Sequence, residues 1–273
     1  MAPNWGSLRT FGWLPAGQAV SLVISTVTFA VLARTLGTGP FAVFATVLFV
    51  FSVVSLLCDL SPQGFIIVHG DDQATRRATW FIVAATSAVA GAAIFVLTGA
   101  ASLLIVGEIL PPLAAGALSA ACIAQYIAQV PRARLVIARR YKTLAIVDIS
   151  ATLVAGVTAV AVSLVIASVI ALAVQLLVLG VVRGGLLVIA ERSLQRGPAG
   201  DSEIVRSAHV LRYGARVLPV NIASYLSRSL DTGFLPAFLP AAAAAAYARS
   251  YQLVVVPIGQ IQLSLGPAIL ERL

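Results

Sequence analysis

The sequence predicts an all-α fold, a polytopic bundle of transmembrane helices with about eight spans. Hydrophobic residues make up 60% of the chain and charged residues only 10%, whereas an average soluble domain is about a quarter charged. Apolar runs of about 20 residues, the length that crosses a bilayer, follow one another with short polar breaks. This composition has too few charged residues to cover a soluble surface.

The apolar runs define eight spans, in order Trp13–Ala33, Phe41–Leu60, Thr79–Thr98, Ile109–Val130, Leu144–Val165, Ala167–Ala190, Tyr213–Phe238 and Tyr247–Ile269. Arg9 precedes the first run as in a signal peptide, but this run is too long for the apolar core of such a peptide and has no convincing cleavage site. Spans five and six are so close that residues 166–168 must form the whole turn between them.

One long polar segment, which contains Gly197, Pro198 and Gly200, separates six spans from two. We therefore expect three parts: an N-terminal six-helix transmembrane lobe over residues 1–190, a cytoplasmic linker over 191–212, and the first two helices of an incomplete second lobe over 213–273.

A weak internal repeat agrees with this division. A shift of about 203 positions superposes the polar residues of span one on those of span seven: Gln18, Ser21, Ser25 and Thr28 fall on Asn221, Ser224, Arg228 and Asp231. Chance similarity between apolar helices is an alternative explanation. If the repeat is real, its second copy has two of six helices, and we expect the chain to be truncated.

Basic residues set the expected orientation. The net charge of +8 would suggest a nucleic-acid partner only if it lay in a soluble domain, so no such partner is expected. One set of alternate loops holds thirteen Lys and Arg residues, and the other set holds only Arg34. Since basic residues are retained on the cytoplasmic side, the N-terminus is predicted to be cytoplasmic.

Span seven carries the most informative polar residues. Asn221, Ser224, Arg228 and Asp231 share one helix face at 100° per residue. An ionisable group at membrane depth costs at least about 2.5–3.5 kcal/mol and usually faces a bundle interior or a watery cavity. Arg228 is therefore predicted to line a substrate path, with Asp231 orienting or partly neutralising it. The alternative is an ion pair that only holds helices together.

Three further arginines lie within apolar segments. Arg216 is close enough to the end of its span to extend its charge into the interface, whereas Arg183 lies deeper and is ambiguous. Arg249 is either an interfacial anchor or a charge at a cavity mouth. The basic loop over residues 132–142 is interpreted as a topology determinant that contacts anionic lipid head groups.

No motif predicts an enzyme, a cofactor or a metal site. His69 and His209 stand alone in loops, and the chain has no Gly-rich phosphate loop and no His-Glu-x-x-His sequence. Cys58 and Cys122 both lie in apolar segments, where a packing role is expected. A transporter class is favoured over a membrane enzyme.

Three stretches of the sequence resemble polysaccharide flippases, the lipid-linked oligosaccharide exporters of bacterial inner membranes within the multidrug, oligosaccharidyl-lipid and polysaccharide exporter superfamily. They are LARTLGTGPFAVFA, QVPRARLVIARRYKTLAIVDI, and YGARVLPVNIASYLSRSLD followed by YARSYQL. The resemblance extends from about Gly12 onward, and its most specific element is the pair YLSRSLD and YARSYQL.

The resemblance implies two six-helix lobes in a V around a central cavity that opens alternately to each side. It also implies a cationic cavity for the pyrophosphate and sugar head group of a polyprenyl-linked substrate. The positions of this chain that match the motifs and are expected to bind substrate are Arg228, Asp231, Asn221, Arg249 and, more weakly, Arg34. The implied partners are membrane lipids, a lipid-linked oligosaccharide, and a second chain if further helices are needed.

Two other interpretations stay open. The protein is alternatively a lipid II flippase or a drug and cation exporter of the same superfamily, although its N-terminal acidic residues Asp59, Glu108 and Asp148 all lie near helix ends. A non-transporting scaffold or an inactive fragment is the interpretation from a different class.

Overall fold

A computed structural model describes residues 12–36, 38–70, 72–101, 111–166, 168–194 and 207–238, without the side chains at 38–43, 45, 46, 101 and 228–238. Every regular element in these ranges is a helix. In chain order they are α1 Trp13–Leu36, α2 Thr38–Cys58, α3 Pro62–His69, α4 Gln73–Ala101, α5 Pro112–Ile127, α6 Gln129–Ile137, α7 Tyr141–Val165, α8 Val169–Arg192 and α9 Ser207–Phe238.

Six helical stretches of the described residues are long and apolar enough to cross a membrane. They are Trp13–Leu36, Val47–His69, Gln73–Ala100, Pro112–Ile137, Tyr141–Val165 and Val169–Arg192. These stretches confirm a multi-pass all-helical protein and correspond to the first six predicted spans. Two of them combine consecutive helices, α2 with α3 and α5 with α6.

The seventh predicted span is the helix α9, which begins before Tyr213 and continues to Phe238. It is not among the six apolar stretches, because Arg212, Arg216 and its other polar residues interrupt the apolar run. Span eight lies outside the described residues, so the total of about eight spans and the division into two lobes stay predictions.

Parallel packing of α1 on α7 forms one side of the bundle. Gly17 is so close to Ala145 that an added Cβ would lie 2.7 Å from the Ala145 Cβ. At the other end, the Thr35 Oγ1 donates a hydrogen bond of 3.3 Å to the Ser163 Oγ. Each contact joins residues 128 positions apart, so the two helices keep one register along their length. Glycine and alanine allow this close approach.

The rest of the core lies between α4, α5 and α8. The Ser119 Oγ donates to the Gly91 carbonyl oxygen over 2.8 Å, and Gly180 lies against the Ala121 backbone. The α7–α8 turn confirms the prediction for residues 166–168, because α7 ends at Val165 and Ser168 caps the N-terminus of α8.

One end of the bundle carries most of the basic residues. The starts of α1, α4, α7 and α9 and the ends of α3, α6 and α8 meet there, as shown by the Lys142 Nζ lying 5.4 Å from the Trp13 ring centroid and by the packing of Tyr213 on Phe65. We call this end the basic end. Arg34 lies at the opposite end, in the last turn of α1.

Candidate functional site

The N-terminal half of α9 packs against the link between α2 and α3, and we call this contact the α9 seam. Three rings form its outer part. Phe65 stacks on His69 with ring centroids 4.2 Å apart, and Tyr213 meets both rings edge-on at 5.5 and 5.8 Å. His69 therefore ends a helix and packs on two rings, which corrects the prediction that it stands alone in a loop.

Two glycines allow the backbones to approach in the seam. A Cβ added to Gly214 would lie 2.5 Å from the Leu60 Cβ and 2.8 Å from the Leu60 carbonyl oxygen. A Cβ added to Gly64 would lie 3.0 Å from the Tyr213 hydroxyl. Since the obstacle at Gly214 includes backbone, a larger side chain there would push α9 away from the link.

A polar contact lies further along the seam. The Asn221 Nδ2 donates a hydrogen bond to the Ser61 Oγ over 3.1 Å, and the Ser61 backbone N–H donates to Asp59 Oδ1 over 2.9 Å. Ser61 has a left-handed backbone with φ of 50°, which is uncommon for a residue other than glycine. The predicted site residue Asn221 therefore connects α9 to a strained break in the second apolar stretch.

The remaining predicted site residues are only partly described. Arg228 and Asp231 lie in α9, but their side chains are outside the description. Position 228 is seven residues beyond Asn221, about two turns, so the backbone register places it on the same side of α9. Arg249 lies outside the described residues.

Arg34 is described and exposed. It belongs to α1, which packs mainly on α7, whereas α9 packs on α2, α3 and α4. The structure therefore does not bring Arg34 together with Asn221.

A group of three charged residues lies at the other side of the basic end, where Asp148 is buried and Arg132 and Arg183 are partly exposed. We call Arg132, Asp148 and Arg183 the arginine–aspartate cluster. The Nη1 and Nη2 of Arg132 each donate to one Asp148 oxygen over 3.2 Å. The Nε of Arg183 is buried and lies 3.0 Å from Asp148 Oδ1, but it makes no hydrogen bond to any of the described residues. Arg183, whose role the sequence left open, is thus one of two cations that pair with the same carboxylate.

The structure corrects the prediction that residues 132–142 form a loop. Residues 129–137 form the helix α6. Arg134 is buried and pairs with Glu191 at the end of α8, while Arg132 pairs with Asp148. Only the later basic residues, Arg139, Arg140 and Lys142, are exposed.

A sequence signal for the cluster exists. Asp148 lies seven residues after the start of α7 and Arg183 nine residues before the end of α8, so consecutive antiparallel spans carry opposite charges at similar depth. Hydrophobicity alone identifies each residue separately, so the pair was not predicted.

Both cysteines lie in the apolar core. Cys122 is buried and Cys58 packs against the same core, as expected for packing residues, and both are free thiols. Within the described ranges, no group of three or more His, Cys, Asp and Glu side chains is placed to hold a metal ion.

A family model described as "Polysaccharide biosynthesis protein" matches residues 31–270. The chain belongs to this polysaccharide biosynthesis family. The match covers the last turns of α1, from residue 31, and all the other described helices, including the α9 seam and the arginine–aspartate cluster. No curated protein and no solved structure matches the chain. The resemblance inferred from the motifs is confirmed at the level of the family.

Proposed function

We propose that the protein is a flippase that moves a polyprenyl-pyrophosphate-linked oligosaccharide across the bacterial inner membrane for the synthesis of cell-surface polysaccharide. The single observation that supports this most directly is the α9 seam, in which a polar helix packs against a strained break in an apolar span. A lipid-linked sugar of this class is a chemically suitable substrate for a polysaccharide biosynthesis protein that is built from membrane-spanning helices.

In this proposal the polar face of α9 contacts the head group. Asn221 donates a hydrogen bond at the seam, and Arg228 follows on the same side of the helix by register. A guanidinium matches the oxygens of a phosphate group with two parallel N–H bonds. We propose that Arg228 binds the pyrophosphate, that Asp231 orients Arg228, and that Asn221 couples head-group binding to the α2–α3 link. Arg249 is proposed as a further contact of the head group, and Arg34 as a weaker one.

The test is restoration of surface polysaccharide in host cells from which the gene has been deleted. We expect the unaltered gene to restore export and Arg228→Ala to lower it at least about tenfold, because a hydrogen bond to a charged group is worth about 1.5–3 kcal/mol. Arg228→Lys retains the positive charge but cannot form two parallel N–H bonds, so it should give an intermediate level of export. Protein amount in the membrane is measured in parallel.

Arg212→Ala is the matched control, since Arg212 is an exposed basic residue near the start of the same helix. Export that is unchanged in Arg228→Ala would contradict the role of Arg228. Failure of the unaltered gene to restore export, with lipid-linked sugars at their normal level, would contradict transport and favour a scaffold.

The orientation is also a proposal: the basic end faces the cytoplasm. Its support is the concentration of basic residues at one end, which the positive-inside rule assigns to the cytoplasmic side. In a variant without Cys58 and Cys122, we expect Val165→Cys to react with a membrane-impermeant maleimide in intact cells. Val165 is 83% exposed at the end opposite the basic end. Arg140→Cys at the basic end should react only after permeabilisation, and the reverse pattern would invert the orientation.

Lipid II and drug or cation export remain alternatives within the proposed transporter class. They are separated by supplying each substrate to the purified protein in liposomes and measuring which one crosses. A second chain that supplies further helices also stays a prediction. It is tested by purifying the protein from its native membrane and asking whether a second membrane protein copurifies with it.

A further inference from the structure

The charges of the arginine–aspartate cluster do not balance. Arg132 forms two hydrogen bonds to Asp148, and Arg183 adds an ion pair to the same carboxylate. Two guanidinium groups therefore share one negative charge, which leaves one positive charge without an acidic partner among the described residues.

Burial makes this excess charge unfavourable. Asp148 is seven residues into α7, which is about 10 Å along the helix axis. Its side chain is 3% exposed. A charge at membrane depth is costly unless another group compensates it. An anion bound at the cluster would remove this cost.

The described residues supply no second carboxylate. Glu191 bonds to Arg134, and Asp59 accepts from the backbone of Ser61 in the α2–α3 link. Arg132 and Arg183 have no other acidic partner within the described ranges. The adjacent Arg134–Glu191 pair is neutral by itself, so it does not offset the cluster.

The accessible side chains of the cluster are those of the two arginines. The side chains of Arg132 and Arg183 are 24% and 29% exposed, whereas Asp148 is almost completely covered. The Nε of Arg183 is buried and has no hydrogen-bond acceptor. An approaching anion thus meets two arginines, and arginine binds phosphate oxygens with fixed, parallel donors.

We propose that the arginine–aspartate cluster is a binding site for the phosphate group of an anionic membrane lipid. A phosphodiester carries one negative charge, which equals the excess of the cluster. The head-group region borders the hydrocarbon core, and arginine side chains can extend toward that border. Exposed apolar side chains at the depth of the cluster, such as Ile146 and Val181, suit the acyl chains of a lipid better than free phosphate in water.

This site is separate from the α9 seam. The cluster lies on α6, α7 and α8, and α9 packs on α2, α3 and α4. The proposal therefore does not depend on whether the protein exports a sugar, and a binding measurement tests it without any transport assay.

The experiment uses the full chain in phosphatidylcholine nanodiscs with increasing fractions of phosphatidylglycerol. Tm and bound lipid, counted by native mass spectrometry, are measured for each composition. A ligand of the folded state raises Tm with its concentration, so we expect Tm of the unaltered protein to rise. Arg183→Met should weaken phosphatidylglycerol binding about thirtyfold, since it removes a charged hydrogen-bond donor.

Arg140→Met is the matched control. Arg140 is exposed at the same end, and its side chain makes no capping hydrogen bond at the start of α7. Removing one surface basic residue should weaken binding no more than about fivefold. Equal losses in the two variants would show only a diffuse surface attraction and would overturn the site.

A second variant keeps the test informative if Arg183→Met fails to fold. Arg183→Met leaves the double hydrogen bond between Arg132 and Asp148 intact, so we expect its fold to be retained. Asp148→Asn acts in the opposite direction: it raises the excess charge from one to two and should tighten lipid binding. If the cluster has only a structural role, each variant should instead lower Tm by an amount that does not change with lipid composition.

Inorganic phosphate distinguishes the source of the phosphate group. In pure phosphatidylcholine nanodiscs, we expect its addition to leave Tm at the value in chloride of equal ionic strength. A rise in Tm with inorganic phosphate that Arg183→Met abolishes would assign the cluster to a free phosphate and overturn the lipid.

Discussion

Two helix contacts of this protein differ in length and in the residues that form them, as a rigid contact is expected to differ from a movable one. The α1–α7 contact keeps one register from Gly17 at Ala145 to Thr35 at Ser163, with small residues along its length. The α9 seam is shorter and combines three rings, a close glycine and one hydrogen bond around a strained link. We expect the first contact to be rigid and the second to open at lower cost.

The largest expected effect is at the fixed contact. Gly17→Val should lower the free energy of unfolding by about 1–3 kcal/mol, because a side chain there meets the Ala145 Cβ and Cα at 2.7 and 3.0 Å and overpacking costs this much. Thermal unfolding of the purified protein in detergent measures it. The control is Gly185→Val on α8, where no atom lies within 4 Å of the added Cβ. If both variants unfold alike, the α1–α7 contact is not the rigid one.

An intermediate effect is expected when the seam is wedged open. Gly214→Val would place carbon atoms against the Leu60 backbone, and α9 can relieve the clash by moving outward. We expect amide hydrogen exchange over residues 60–69 to accelerate about five- to thirtyfold, equivalent to about 1–2 kcal/mol of local stability. Exchange over residues 145–163 should stay unchanged. Acceleration in both regions would mean that the seam and the α1–α7 contact open as one unit.

How far the sequence predicts the structure differs between these regions. Apolar runs of membrane-spanning length identify six spans, and the turn at residues 166–168 follows from the short distance between two of them. Hydrophobicity constrains length strongly in a bilayer, so these predictions succeed. The break at Ser61 was not predicted, because the left-handed backbone of that residue depends on contacts that the apolar pattern does not encode.

The candidate site was less predictable for a related reason. Polarity at membrane depth indicates Asn221 and Arg183 as unusual residues, but it does not identify their partners. Ser61 lies 160 positions from Asn221, and Arg132 lies in a segment whose basic residues already had an explanation in topology. A pairwise search for opposite charges at equal depth in neighbouring spans would have found Asp148 with Arg183.

The smallest effect is expected at the hydrogen bond of the seam. Asn221→Ala removes the donor to the Ser61 Oγ and should lower stability by about 0.5–1.5 kcal/mol, the net value of one hydrogen bond. Ser224→Ala is the matched control, since Ser224 is exposed on the same helix and its loss should stay within about 0.5 kcal/mol. In the exchange experiment, Asn221→Ala should accelerate residues 60–62 more than the ring cluster at Phe65 and His69. Equal acceleration of both would show that the link and the rings separate from α9 together, so that the hydrogen bond does not stabilise the link independently of the rings.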